Sequence, residues 1–534
     1  MRARILFAST LAVLVALAAL PTVAPQSTEA KLLILHDVGD DGYTYVGNPN
    51  QFAFLMLTAE GTTTVHKQGK ILITQNDVKL YETLGGATGF DGAHDYDAFN
   101  GFLFAFPTTG PYTIHAEIPN PPLKADFTGY VREVPNAFEA DLKVTPPSAV
   151  QAGNPAAFTI EVQGKDGKLV PHTDAIFEVR RASDNFLVFR THTHSHDGPM
   201  KLEYRFAEAG SYVVRVLGYT AYPEPEVAGF HPISRDLTVQ VGPPASGLPA
   251  PALVPATGSQ PAPSGKYVIH ATYDPDDMAG PFGNVRLNAI VLDQETRTQA
   301  SHVDFKATLT DPSGRIIFRS ETLHEYDGDL EVLSLNSEPG DYRMVVDAEI
   351  DGWKATKVFM YSIVKPTATG TPLTPYSAGP IIVDSSPLTG VTSGVPTKLE
   401  FSMKNLAGAA HQHSEIDLQI HGKTLGVPLL QNKLHTHADG KFAVDYTFPT
   451  AGDYQLVLDA ESVHGDFTPN YHYKQVGGKL VVPVKVAQGT PLPEVAPLPT
   501  VEPKHGANGT LAAPGAFAFL AAVVAALVVA RRQA

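Results

Sequence analysis

The sequence predicts an all-β chain of tandem immunoglobulin-like β-sandwiches, carried between an N-terminal signal peptide and a C-terminal transmembrane helix. Three observations predict it. The 534 residues hold 45 Gly, 44 Pro, 26 Phe and 20 Tyr, a mixture suited to short strands and frequent turns rather than long helices. Four segments end alike, in an alternating strand, a turn, a Gly-x-Tyr step and a second alternating strand. Pro-rich stretches without any apolar period separate parts of the chain as extended connectors.

At roughly 100–150 residues per domain this length allows three to five domains. Residues 1–30 read as a signal peptide: Arg2 and Arg4 precede the apolar run Ile5 to Leu20, and Pro21 breaks it. Segment one spans 31–135 and segment two 136–242. A linker follows at 243–264, then segment three at 265–365, a second linker at 366–380, and segment four at 381–487. The stretch 488–510 suits a stalk. Residues 511–534 form a hydrophobic anchor whose terminal Arg531 and Arg532 belong on the cytosolic side. The repeated step is Gly110-x-Tyr112, Gly210-x-Tyr212, Gly340-x-Tyr342 and Gly452-x-Tyr454. It is similar to the tyrosine corner of immunoglobulin-type sandwiches, in which the phenol ties down a turn.

Charge and residue usage exclude several functions. A net charge of −16 argues against nucleic acid or anionic lipid as a partner and favours cations. With no cysteine there are no disulfides, thiolate metal sites or cysteine nucleophiles. No nucleophile elbow, P-loop or His-Glu-x-x-His motif occurs, so a non-enzymatic role is expected.

The 20 histidines are the most informative feature. Counted from the repeat tyrosine, His94, His194 and His324 each stand 18 residues upstream (94 to 112, 194 to 212, 324 to 342), and His435 and His437 bracket that position in segment four. A second histidine stands further back, at His66, His172, His302 and the pair His411/His413. The gap is 22 residues in three segments (172 to 194, 302 to 324, 413 to 435), the span of two strands and their connection, so the two histidines are expected to meet at one end of each sandwich. A His-x-His on a strand puts both rings on one face, and neutral imidazole ligates copper, zinc and nickel. Segment two offers His172, His192, His194 and His196; segment four offers His411, His413, His435, His437 and His464. These nine are the candidate metal ligands. The single pairs of segments one and three are expected to serve structure, and a pH-responsive histidine cluster is a further reading.

Two resemblances attach to these residues. The string His435-x-His437-x-Asp439-Gly440-x-Phe442, followed by Gly452-x-Tyr454, resembles extracytoplasmic modules of the YtkA and CopC-like kind; segment two matches through His194-x-His196-Asp197-Gly198 and Gly210-x-Tyr212. That resemblance implies an immunoglobulin-like fold and copper handling or assembly of copper enzymes, although no methionine cluster accompanies the histidines. The tail from Pro514-Gly515 to Arg531-Arg532 resembles the sorting signals of archaeal surface proteins. The resulting expectation is an exported, surface-anchored protein binding Cu²⁺ or Zn²⁺, with other envelope proteins as partners. Two alternatives stand beside it: a structural or adhesive surface protein, and a docking factor for assembly of a membrane metalloenzyme.

Overall fold

A computed structural model describes residues 30–38, 43–57, 67–84, 93–95, 99–119, 122–183, 186–196, 198–220, 229–244, 266–274, 278–279, 284–325, 329–335, 340–363, 382–404, 408–410, 414–422, 428–436, 440–463 and 478–494. The expected signal peptide, both Pro-rich linkers for most of their length and the C-terminal anchor lie outside them. Among the described residues every regular element is a strand, and no helix is long and apolar enough to cross a membrane.

Residues 1–496 form one compact unit, built on four sheets of seven, nine, nine and eight strands among the described residues. The sheets do not stop at segment boundaries. Strand Phe186–Ser195 of segment two pairs antiparallel with Asp329–Leu335 of segment three, and Met200–Arg205 pairs with Ile316–Ser320. Both sheets of segment two therefore continue into segment three. Segments one and four join in the same manner: Phe99–Ala105 pairs with Pro428–Thr436, and Val78–Leu84 with Lys441–Thr447. The four segments are thus joined in two pairs, two with three and one with four, and each pair shares two continuous sheets as a double sandwich. Edge strands supply the reason. An unpaired edge leaves a row of N–H and C=O groups open, and joining edge to edge satisfies them while merging two small cores.

Each double sandwich has one continuous core. In segments two and three the fully buried Phe189 packs against Phe318 across the joint, ring centroids 5.2 Å apart. In segments one and four the Asn432 amide donates to the buried Tyr81 hydroxyl at 2.6 Å. The two double sandwiches pack through Leu33, Leu35 and Leu55 against Ile290 and Leu292, and through Leu103 against Ile176, Leu217 and Tyr219.

The Gly-x-Tyr step has a backbone cause. Gly110, Gly210, Gly340 and Gly452 have φ of 128°, 156°, 132° and 148°, which side chains oppose. A Cβ on Gly340 would stand 2.6 Å from Pro312. Two phenols act as the corner analogy expects: Tyr212 donates to the Glu208 carbonyl at 3.1 Å and Tyr454 to the Thr450 carbonyl at 2.9 Å.

Candidate metal centre

Strand Phe186–Ser195 alternates, so His192 and His194 share one face, and His196 follows directly after its last residue. Across from it runs Thr173–Arg181, with Asp174 directly opposite His194. Opposed residues of antiparallel strands stand close enough for side chains to meet, and Asp174 Oδ1 accepts from His194 Nδ1 at 2.7 Å. This fixes the tautomer: Nδ1 carries the proton and Nε2 keeps its lone pair for a ligand. His194 is 4% exposed and its Nε2 has no hydrogen-bond partner. A buried acceptor left open is expensive unless something occupies it.

His172 and His196 complete the group from segment two. The candidate ligand atoms of His172, His194 and His196 all lie within 4.8 Å of one another. The backbone is drawn tight to bring this about. His172 has φ of 50°, a left-handed conformation that costs a non-glycine residue about 1 kcal/mol or more. Its N–H donates to the carbonyl of His196 at 3.1 Å.

Segment three supplies the rest. Its short strand Leu323–Glu325 pairs with Val303–Thr310, placing Asp304 opposite His324. Asp304 Oδ1 lies 2.7 Å from His324 Nδ1, repeating the Asp174–His194 arrangement. His302 repeats the strain of His172, with φ of 57°, and its Nδ1 is 3.3 Å from His324 Nε2. Because the sheets are continuous, these rings meet those of segment two. Centroid separations are 4.2 Å for His196–His324, 4.8 Å for His172–His196, 5.0 Å for His194–His196, 5.5 Å for His302–His324, 5.6 Å for His194–His324 and 6.1 Å for His172–His194.

The surroundings keep the His196 ring uncharged. Burial, followed by the neighbouring imidazoles His194, His324, His172 and His302, lowers the His196 pKa to about 4, so the ring is neutral near pH 7. Behind the group lies a buried charged layer. His192 turns away from the cluster: its Nδ1 is 3.1 Å from Glu325 Oε2, and its Nε2 is 3.2 Å from the Tyr219 hydroxyl and 3.8 Å from Asp174 Oδ1. Burial alone would lower the His192 pKa; the charges of Glu325, Asp174 and Asp37 outweigh it and hold the ring protonated. Arg190 donates to Glu331 Oε1 through Nε at 3.1 Å and Nη2 at 2.8 Å, pinning segment two to segment three at the joint.

Of the nine sequence-derived candidates, the structure brings together His172, His194 and His196 and assigns His192 to the charged layer. His411, His413, His437 and His464 lie outside the described residues, and His435 is placed by its backbone in strand Pro428–Thr436. His302 and His324, read from the sequence as structural, stand beside these rings. The signal that distinguishes them is the pattern His-x-Asp followed 20 residues later by His, present at 172, 174 and 194 and again at 302, 304 and 324.

No family model matches this chain, and no curated protein matches it. Solved structures do align. One is Escherichia coli alpha-2-macroglobulin activated by porcine elastase, at a TM-score of 0.18 and 10% identity, covering 86% of this chain and 44% of that one. A second is Salmonella alpha-2-macroglobulin reacted with methylamine, at 0.16 and 9%, covering 85% and 40%. A third is the three N-terminal domains of the bacteriophage RB49 outer capsid protein Hoc, at 0.14 and 11%, covering 66% and 100%. The chain spans less than half the length of these macroglobulins, and scores this low carry no argument about function.

Proposed function

We propose that this is a non-enzymatic metal-binding protein whose centre is shared by segments two and three, with His172, His194, His196 and His324 as ligands to Cu²⁺ or Zn²⁺ and His302 at its edge. The observation that carries the reading is His194: its Nδ1 is committed to a buried carboxylate, and its Nε2 is buried without a partner beside three other imidazoles. An ion bound ~2.0 Å from each of four imidazole nitrogens spaces their rings about 5 Å apart. Five of the six ring pairs among these four histidines stand 4.2 to 6.1 Å apart, which straddles that spacing. An all-nitrogen donor set without thiolate suits Cu²⁺, Zn²⁺ or Ni²⁺. Export and surface anchoring, read from the two termini, would put the centre outside the cell, and the YtkA and CopC-like resemblance of segments two and four agrees with a metal role there.

The test is calorimetric titration of the full chain with Cu²⁺ and with Zn²⁺, beside a His194→Ala/His196→Ala variant. Loss of a tight component in the variant supports the reading. Wild type and variant that bind with the same weak affinity would refute it, and the histidines would then be structural.

A further inference from the structure

We infer that the protein carries a second histidine metal centre, shared by segments one and four, at the place equivalent to the first. The inference rests on the metal reading of the first centre and goes beyond it in site and in stoichiometry. It is drawn from backbone placement and sequence position.

The two joints have the same register. At the first, Phe189, Arg190 and Thr191 face Ser334, Leu333 and Val332; at the second, Leu430, Gln431 and Asn432 face Phe104, Leu103 and Phe102. From this common origin the histidines fall at equal offsets. His194 stands three residues after Thr191, and His435 three after Asn432. His324 stands eight residues before Val332, and His94 eight before Phe102. Two unrelated arrangements would not agree on both counts.

The supporting strands agree as well. Asp304 pairs with His324 between Val303–Thr310 and Leu323–Glu325; Gln68 pairs with His94 between Lys67–Gln75 and Ala93–Asp95. Asp174 pairs with His194, and Glu415 with His435. The short strand Ala93–Asp95 lies against Pro428–Thr436, as Leu323–Glu325 lies against Phe186–Ser195. The topology therefore carries His94 and His435, from segments far apart in sequence, to one place.

The chemistry is not identical. A glutamate stands where segment two has Asp174, and a neutral glutamine where segment three has Asp304. Carboxylate partners raise the basicity of a ligating imidazole, so the second centre is expected to be the weaker of the two.

The experiment is a stoichiometric Zn²⁺ titration of the full chain by calorimetry. It compares wild type, His194→Ala/His196→Ala, His94→Ala/His435→Ala and the fourfold variant. His94→Gln/His435→Gln and a denaturant unfolding curve for each protein separate ligand loss from misfolding. Two equivalents in wild type, one in each double variant and none in the fourfold variant are expected. One equivalent in wild type that survives His94→Ala/His435→Ala and vanishes with His194→Ala/His196→Ala would overturn the second centre and leave the first standing. Absence of saturable binding in wild type would overturn both. A His94→Gln/His435→Gln protein with wild-type unfolding that still binds two equivalents would also overturn the second centre.

Discussion

Replacing Asp174 by Asn tests whether the carboxylate tunes the centre or merely fills space. The substitution keeps the size and an acceptor oxygen but removes the charge that sits 2.7 Å from His194 Nδ1. Loss of such an outer partner typically weakens metal binding 10–100-fold, about 1.4–2.7 kcal/mol. Asp174 is 8% exposed, so solvent screens it little and the effect should approach the larger figure. Asp304 holds His324 with the same 2.7 Å contact, but its side chain is 45% exposed. Asp304→Asn should therefore fall toward the tenfold end. The assay is competition of the full chain against a chelator of known affinity, with Zn²⁺, for wild type and both variants. Unfolding curves without metal check that the fold is intact. If Asp174→Asn binds Zn²⁺ as tightly as wild type while His194→Ala does not, the carboxylate has no part in tuning the ligand, and its role is confined to the charged layer with His192.

Three further outcomes are expected. Arg190→Met leaves Glu331, 3% exposed, buried without its cation, and should destabilise the metal-free protein by about 3–5 kcal/mol in denaturant unfolding. Asp37→Asn should stabilise the protein at pH 8 and have little effect near pH 4. Burial, partly offset by His192, raises the Asp37 carboxyl to about 7. The folded state thus keeps a proton that the unfolded chain releases above about pH 4, and stability falls as pH climbs through 7; denaturant midpoints at the two pH values measure this. Tyr454→Phe removes the hydroxyl that donates to the Thr450 carbonyl and should cost about 1 kcal/mol in the same assay.

The all-β class and the repeated corner were legible because their causes are local. Alternation marks the strands, and the four glycines of the Gly-x-Tyr step take positive φ values that the residue type itself announces. The histidines of segment two were legible for the same reason, since a period of two puts them on one face. His192 was misassigned because alternation gives the face but not the neighbours: Glu325, which draws its ring away, comes from another segment. His302 and His324 were read as structural because each segment was weighed alone. The pairings of Phe186–Ser195 with Asp329–Leu335 and of Met200–Arg205 with Ile316–Ser320 leave no periodic mark in these strands, yet they join the segments whose rings meet. The spacing of 22 points to a meeting within a segment, which the rings of His172 with His194 and of His302 with His324 bear out; it holds nothing about meetings between segments.

Placing the centre across a joint ties metal affinity to the packing of two segments. In the proposed centre segment two supplies His172, His194 and His196, and segment three would supply the fourth ligand, His324, whose ring stands 4.2 Å from His196 and 5.6 Å from His194. The joint itself is held by the Arg190–Glu331 pair and the Thr191 hydroxyl, which donates to the Glu331 carbonyl at 3.0 Å, while His324 is oriented by Asp304. Linkage then works in both directions: whatever the joint contributes to binding, bound metal returns to the joint. At a free concentration 100 times the dissociation constant, metal should stabilise the wild-type fold by about 2.7 kcal/mol. Arg190→Met removes no ligand, yet it should weaken Zn²⁺ binding, and its stability deficit should change with metal by the same free energy that binding loses. Unfolding with and without Zn²⁺, beside direct titration of both proteins, closes this cycle. If Arg190→Met binds Zn²⁺ with wild-type affinity, the Arg190–Glu331 pair has no part in holding segment three to the centre, and the proposed coupling fails.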